Sequence, residues 1–120
     1  MPRFVLLRHE CPPSMGKPSH WDLMLERDGV LLTWSLEALP RAWGGDGASP
    51  TQEDDSPLAA TRLADHRIAY LDYEGPISGD RGSVTRVDRG EYEVREETDV
   101  EIRVRLRGEL GEAVLDLRWQ

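Results

Sequence analysis

His20-Trp21-Asp22-Leu23-Met24-Leu25-Glu26-Arg27-Asp28-Gly29-Val30-Leu31-Leu32-Thr33-Trp34-Ser35-Leu36 reads as a β-hairpin. Asp28-Gly29 lies between two apolar runs, and both central positions of a type I′ turn need φ > 0, which Gly adopts freely and Asp tolerates. Side chains alternate between faces along a strand. His20, Asp22, Met24 and Glu26 therefore share one face, and Trp21, Leu23 and Leu25 share the other. The first face is expected to carry chemistry and the second to pack a core.

Upstream, Phe4 to Arg8 forms a short aliphatic run that ends at His9 and Glu10, a first strand delivering His9 at its exit. The stretch Cys11 to Ser19 contains three prolines and a glycine, so it is a loop that returns the chain to His20. Downstream of Trp43 the chain turns Gly-, Pro-, Ser- and acid-rich, and a mobile surface loop is expected over about residues 44–56. Ser56-Pro57 has the form of a helix cap with proline at the first helical position, which predicts one short helix over Leu58 to Ala64. Arg67 to Leu71 reads as a strand. Tyr73 to Pro76 and Ser78 to Gly82 read as turns, and Ser83 to Asp88 as a strand that Arg89-Gly90 turns into Glu91 to Glu96. In the tail, Val100, Ile102, Val104 and Leu106 alternate with Glu101, Arg103, Arg105 and Arg107, and Gly108-Glu109-Leu110-Gly111 closes a hairpin into Ala113 to Trp119.

About seven short strands with turn chemistry between them predict a mainly β protein: a small closed or half-open antiparallel β-barrel with at most one short helix. Closure removes exposed edge strands, a particular hazard in a small domain. At 120 residues the expectation is a single domain over 1–120.

The formal net charge of -8 argues against sequence-independent binding of nucleic acid through a broad basic surface, because that mode relies on many phosphate contacts. A polyanion must be met locally. Of the fifteen basic residues only Lys17 is lysine; guanidinium forks suit bidentate phosphate contacts, and a biased genome composition gives the same skew. Cys11 is the single cysteine, which excludes an intrachain disulfide and fits a reducing compartment. No run approaches the roughly 20 apolar residues of a membrane helix, and the first residues do not read as a signal peptide, so a cytoplasmic protein without membrane contact is expected.

Three histidines draw the chemical reading. His9 and His20 flank the Pro-rich loop, and Asp22 shares a strand face with His20, so two imidazoles and a carboxylate can converge in the manner of an open zinc or manganese site. A solvated strand face produces the same spacing. His66 and Tyr70, read on one strand with matching parity, offer a proton donor or positive charge and a phenol to an anionic group, or else a strand-end histidine and a half-buried tyrosine. Arg103, Arg105 and Arg107 read as a solvated stripe cross-paired with Glu91 and Glu93, or as a phosphate-binding one. No Gly-rich phosphate loop, cysteine cluster or nucleophile elbow is present, and Cys11 beside prolines does not read as a nucleophile.

In combination, Phe4-Val5-Leu6 ending in His9, His20 to Leu31, Trp34, Asp65-His66-Arg67-Ile68-Ala69-Tyr70, Asp72 to Ile77 and Gly82-Ser83-Val84 resemble the 3′-phosphoesterase domain of bacterial DNA ligase D, over nearly the whole chain and in order. The resemblance implies a small β-barrel metalloenzyme of DNA repair. Its implied activity is hydrolysis at 3′-terminal phosphate or ribonucleotide ends of nucleic acid, with a divalent metal, manganese or alternatively zinc, and a repair ligase as partner. It implies His9, His20 and Asp22 as metal ligands, His66 as the catalytic residue and Tyr70 as the phosphate-binding one. Two positions depart from the family pattern. Met24 stands where the family has an arginine, and the lysine after its tryptophan has no counterpart after Trp34, with Arg8, Arg62 and Arg81 as candidate replacements. The alternative function is therefore a metal-containing module that binds 3′ ends, or another phosphoester, without turnover.

Overall fold

A computed structural model describes residues 2–16, 18–38, 58–77 and 81–119. Eight strands form one sheet: β1 (Arg3–Glu10), β2 (His20–Arg27), β3 (Val30–Leu36), β4 (Leu58–Arg67), β5 (Gly75–Pro76), β6 (Ser83–Glu97), β7 (Glu101–Gly108) and β8 (Glu112–Arg118). The order β1-β2-β3-β4-β8-β7-β6-β5, with an additional β1–β6 pairing, makes the sheet ring-like. Every ladder is antiparallel except the short β4–β8 contact, which is parallel over Leu58↔Leu117 and Ala59↔Arg118. The protein is mainly β, as its turn chemistry predicts, and helical geometry among the described residues is confined to 3-10 turns at Pro13–Met15 and Ile68–Leu71.

The hairpin turns at Asp28 and Gly29 with φ of 53° and 83°, the left-handed pair that a two-residue loop requires, and sets Arg27 opposite Val30. Both faces of β2 are buried, which corrects the expectation that only one packs. The larger cluster holds Phe4, Leu6, Leu23, Leu25, Trp34, Leu36, Tyr92, Ile102, Val104, Leu106, Ala113, Leu115 and Leu117. It draws on six strands of the ring and fills its interior. A smaller cluster of Val5, Leu7, Met24, Leu31, Leu71 and Val84 lies on the opposite face of β1, β2 and β3, with Ile68, Tyr70 and Ile77 packed against it. The chemical face of the hairpin is therefore outside the ring and under a cover.

Three sequence expectations are corrected. Leu58 to Ala64 is strand, not helix: the helix-forming run is recruited into a ladder with β3 (Leu36↔Ala60 to Thr33↔Leu63), and Leu58 and Ala60 pack on the interior cluster. Tertiary pairing overrides local propensity here. Arg67 to Leu71 is not a strand, because the ladder to β3 ends where β3 begins, at Val30↔Arg67; beyond it the chain winds into a 3-10 turn that lowers Leu71 onto the smaller cluster. Nor does Arg89-Gly90 turn the chain. Gly90 lies mid-strand between Phe4 and Gly108, where a Cβ would come within 1.9 Å of the Arg107 carbonyl oxygen, so the glycine serves close backbone approach. There β6 passes from pairing with β1 to pairing with β7 alone. The expected loop at 44–56, the Ser56-Pro57 cap and residues 78–80 of the expected turn lie outside the described residues.

Polar contacts lock the ring. Buried Asp88 accepts hydrogen bonds from the backbone N–H groups of Arg89, Glu109, Leu110 and Gly111 at 2.7–3.2 Å, which fixes the turn between β7 and β8. The Tyr92 hydroxyl donates to the Glu26 carbonyl at 2.6 Å, and Arg27 forms a two-pronged pair with Glu97 at 2.8 and 2.9 Å. These tie the far half of β6 to the β2–β3 hairpin. No helix among the described residues is long and apolar enough to cross a membrane.

Candidate functional site

The ladder between β1 and β2 sets His9 opposite His20, Leu7 opposite Asp22 and Val5 opposite Met24. Cross-strand neighbours on one face stand close enough for their side chains to meet. The two imidazoles lie with ring centroids 4.8 Å apart, and Asp22 reaches both: Oδ2 is 3.4 Å from His9 Nδ1 and Oδ1 is 3.1 Å from His20 Nε2. His9, His20 and Asp22 are only 9%, 5% and 3% exposed. Charge at that depth is costly unless it is compensated.

The hydrogen bonds behind the rings reveal what the front must hold. His9 Nε2 lies 2.7 Å from the Arg81 carbonyl and His20 Nδ1 lies 3.1 Å from the Pro18 carbonyl; a carbonyl only accepts, so these nitrogens carry the protons. His9 Nδ1 and His20 Nε2 then present lone pairs to a carboxylate. His20 Nε2 and Asp22 Oδ1 are buried and, although 3.1 Å apart, form no proper hydrogen bond. Acceptors facing acceptors call for a cation or bound protons between them, and outward donation to carbonyls is the arrangement in which histidine metal ligands are oriented. The donor set fits a divalent metal. When protons rather than a cation sit between them, burial pushes the Asp22 carboxyl up, but the hydrogen bonds and charge of the protonated His20 and His9 outweigh it and hold the group at about 2.

Cys11 stands at the rim, half-buried. Its N–H donates to Ser19 Oγ at 2.9 Å, and its Sγ lies 3.8 Å from His20 Nδ1. One donor atom from each of His9, Cys11 and His20 fall within 4.8 Å of one another.

His66 and Tyr70 meet with ring centroids 5.5 Å apart, edge to face. Their proximity comes from the strand end and the 3-10 turn after it, not from the common strand parity expected from sequence. Thr33 Oγ1 donates to the Leu31 carbonyl at 3.1 Å and is 2.9 Å from His66 Nδ1, which also lies 3.0 Å from the Ala64 carbonyl. Nδ1 is thus the protonated nitrogen, and Nε2 is left for proton exchange. A cavity of about 240 Å³ gathers His9, His20, Asp22, Met24, His66 and Tyr70, and Arg81 also lines it. A larger hollow of about 440 Å³ lies elsewhere, beside Arg3, Asp72, Arg89 and Glu109. There Arg89 pairs with Asp72 and Glu109, and Arg3 with Glu26, so the chemistry concentrates in the smaller cavity.

The candidate guanidinium replacements separate clearly. Arg8 stacks over Trp21 at 4.4 Å and pairs with Glu10. Arg62 stacks over Trp34 and donates to the Thr33 and Leu63 carbonyls and to Asp65. Among these three, only Arg81 lines the cavity. Met24, 1% exposed, packs in its floor with the smaller cluster. Sequence reading did not find the roles of Thr33 and the Arg81 carbonyl, since both depend on long-range register. In the arginine stripe the β6–β7 ladder sets Glu91 opposite Arg107 and Glu93 opposite Arg105, as expected, while the close ion pairs run to β8: Arg103 with Asp116, Arg105 with Glu112, and Arg118 of β8 with Glu101.

The fold and the site together are a ring-like β protein with a buried His-His-Asp cluster that shares a cavity with a third histidine and a tyrosine. The family model for the DNA ligase D 3′-phosphoesterase domain matches residues 14–115. The chain belongs to that family, which carries a 3′-phosphoesterase-type function in DNA repair. No curated protein matches the chain at a significant level.

Proposed function

We propose that this chain is a metal-dependent phosphoesterase that hydrolyses 3′-terminal phosphate or ribonucleotide ends of nucleic acid, with His9, His20 and Asp22 holding the metal, manganese by preference. The observation that carries this reading is the pair of imidazoles that donate outward to carbonyls and turn their lone pairs toward Asp22, inside the cavity that His66 and Tyr70 line. When bound, the cation supplies Lewis-acid stabilisation of phosphoryl oxygens and activation of water. His66, its Nδ1 fixed by Thr33 and the Ala64 carbonyl, presents Nε2 to the leaving 3′ oxygen as proton donor. As water bonds to phosphorus and the ester P–O bond breaks, the Nε2 proton of the His66 imidazolium completes a 3′-hydroxyl, and the proton that water loses stays on the phosphate product. The Tyr70 hydroxyl and the Arg81 guanidinium hold non-bridging oxygens, Arg81 in place of the guanidinium that Met24 lacks. A net charge of -8 makes this end recognition local.

Release of inorganic phosphate from a 3′-phosphorylated primer-template with added manganese tests the reading. Wild type is expected to release it and His20→Ala to fall to background; equal, slow release by both removes the proposal. A second reading rests on Met24, buried in the floor where the family has an arginine: a module that binds 3′ ends without turnover. Metal-dependent binding of the same substrate without product selects that reading over the first.

A further inference from the structure

We infer that the two histidines serve a second, sulfur-containing metal site, His9–Cys11–His20, which takes thiophilic cations such as zinc or cadmium and excludes occupation of the Asp22 side. The inference rests on the reading of His9 and His20 as metal ligands, and adds a ligand and a metal class to it.

The geometry centres on the His20 ring, which has a ligand on each side. Nε2 faces Asp22 Oδ1 at 3.1 Å, and Nδ1 faces Cys11 Sγ at 3.8 Å. An N···S edge of a zinc tetrahedron is about 3.6 Å for the usual Zn–N and Zn–S bond lengths, so the Nδ1–Sγ pair is already near ligating distance. A nitrogen of His9 completes a trio within 4.8 Å. Closing that trio takes a shift of about 1 Å relative to the ~3.3–3.6 Å edges of the tetrahedron. Cys11 lies just past the end of β1, outside the ladder, where such a shift breaks no strand pairing. The N–H bond to Ser19 Oγ holds its backbone next to the start of β2, so the thiol stays beside His20.

The two sites use opposite tautomers of one neutral ring, which makes them alternatives. With the proton on Nδ1, shared with the Pro18 carbonyl at 3.1 Å, Nε2 is a ligand on the Asp22 side. With the proton on Nε2, that nitrogen donates to Asp22 Oδ1, an atom otherwise buried without a partner, and Nδ1 becomes a ligand beside sulfur. The Cys11 S–H, which lies 3.9 Å from the His9 carbonyl, gives its proton to solvent as the metal–sulfur bond forms. Donor softness then sorts the metals: a carboxylate suits manganese, and a thiolate suits zinc and cadmium.

Because Cys11 is the only cysteine, a thiolate-to-cadmium charge-transfer band in the ultraviolet reports this site alone. Untagged, metal-free protein titrated with cadmium is expected to develop the band to saturation at one equivalent. Asp22→Asn keeps the band, Cys11→Ser abolishes it, and His20→Ala weakens the binding it reports at least tenfold. His20→Asn serves as the second variant if circular dichroism shows His20→Ala unfolded. Competition is the second readout: Cys11→Ser lowers the affinity for zinc relative to manganese at least tenfold. A wild-type protein without the band, a band titrating identically in folded His20 variants, or an unchanged zinc-to-manganese ratio in Cys11→Ser overturns the inference. None of these readouts uses turnover, so the sulfur site can fail while manganese-dependent phosphate release stands, and the reverse.

Discussion

On the outer face of β1 and β2, His9 stands opposite His20 and Asp22 follows two residues on, with side chains 11%, 6% and 4% exposed; on the outer face of β7 and β8, Arg103 and Arg105 stand two residues apart with Arg118 on the neighbouring strand, at 36%, 39% and 61%. Both stripes lie opposite inward-facing residues of the interior cluster. They differ in what covers them. Over the first, the 3-10 turn at Ile68–Leu71 and the segment at Ile77 add a second apolar layer, so the polar groups are desolvated and must be matched by a cation or proton. Over the second lies water, and each arginine finds a carboxylate across the ladder, a kind of pair that contributes little. A polar stripe on a strand thus becomes a site when another segment of the chain takes its water away.

Substitutions should separate the two stripes, and the largest effect falls on the covered one. Asp22→Ala is expected to take manganese-dependent phosphate release to background while far-ultraviolet circular dichroism stays unchanged; substantial residual release would detach the carboxylate from the chemistry. His66→Ala should lower the rate about 10²- to 10⁴-fold, the usual contribution of a positioned proton donor, and flatten the pH–rate profile. Leu71→Ala strips the cover itself and is expected to cost about 2–5 kcal/mol in urea unfolding, as buried leucine truncations do. Arg105→Ala on the open stripe should cost less than about 1 kcal/mol, with most of that small loss already absent at high salt.

Acid provides a graded version of the comparison. The Asp22 carboxyl, raised by burial but held to about 2 by its histidines, and Glu26 and Glu97, held low by hydrogen bonds from Arg3 and Arg27, all ionise more readily folded than unfolded. Groups with lowered folded values stabilise fully above the unfolded carboxylate range near pH 4 and lose that contribution as pH falls through the folded value. Metal-free wild type should therefore lose stability between about pH 4 and 2. Asp22→Asn should lose less across that window, as read by urea midpoints at each pH.

Much of the ring could be read from period-two alternation and from Asp28-Gly29, because hairpin register is a local property. The closeness of His9, His20 and Asp22 could be read for the same reason: one hairpin and one preceding strand bring them together. Where local signals competed with pairing, the sequence misled. The helix formers of Leu58 to Ala64 joined β3, and Gly90 marked a crowded crossing of backbones instead of a turn. The support of His66 by Thr33, of His9 by the Arg81 carbonyl, and the approach of Cys11 to His20 Nδ1 depend on distances between segments that no spacing encodes.

The most direct measurement of the central claim, that the buried His-His-Asp cluster is a cation site, is the melting temperature of untagged protein across a manganese titration, for wild type beside Asp22→Asn. The account predicts that wild type gains about 2.7 kcal/mol at manganese one hundredfold above its Kd, with the melting temperature rising accordingly, and that Asp22→Asn gains far less at the same concentrations. Equal shifts in the two proteins, or none in either, would contradict it.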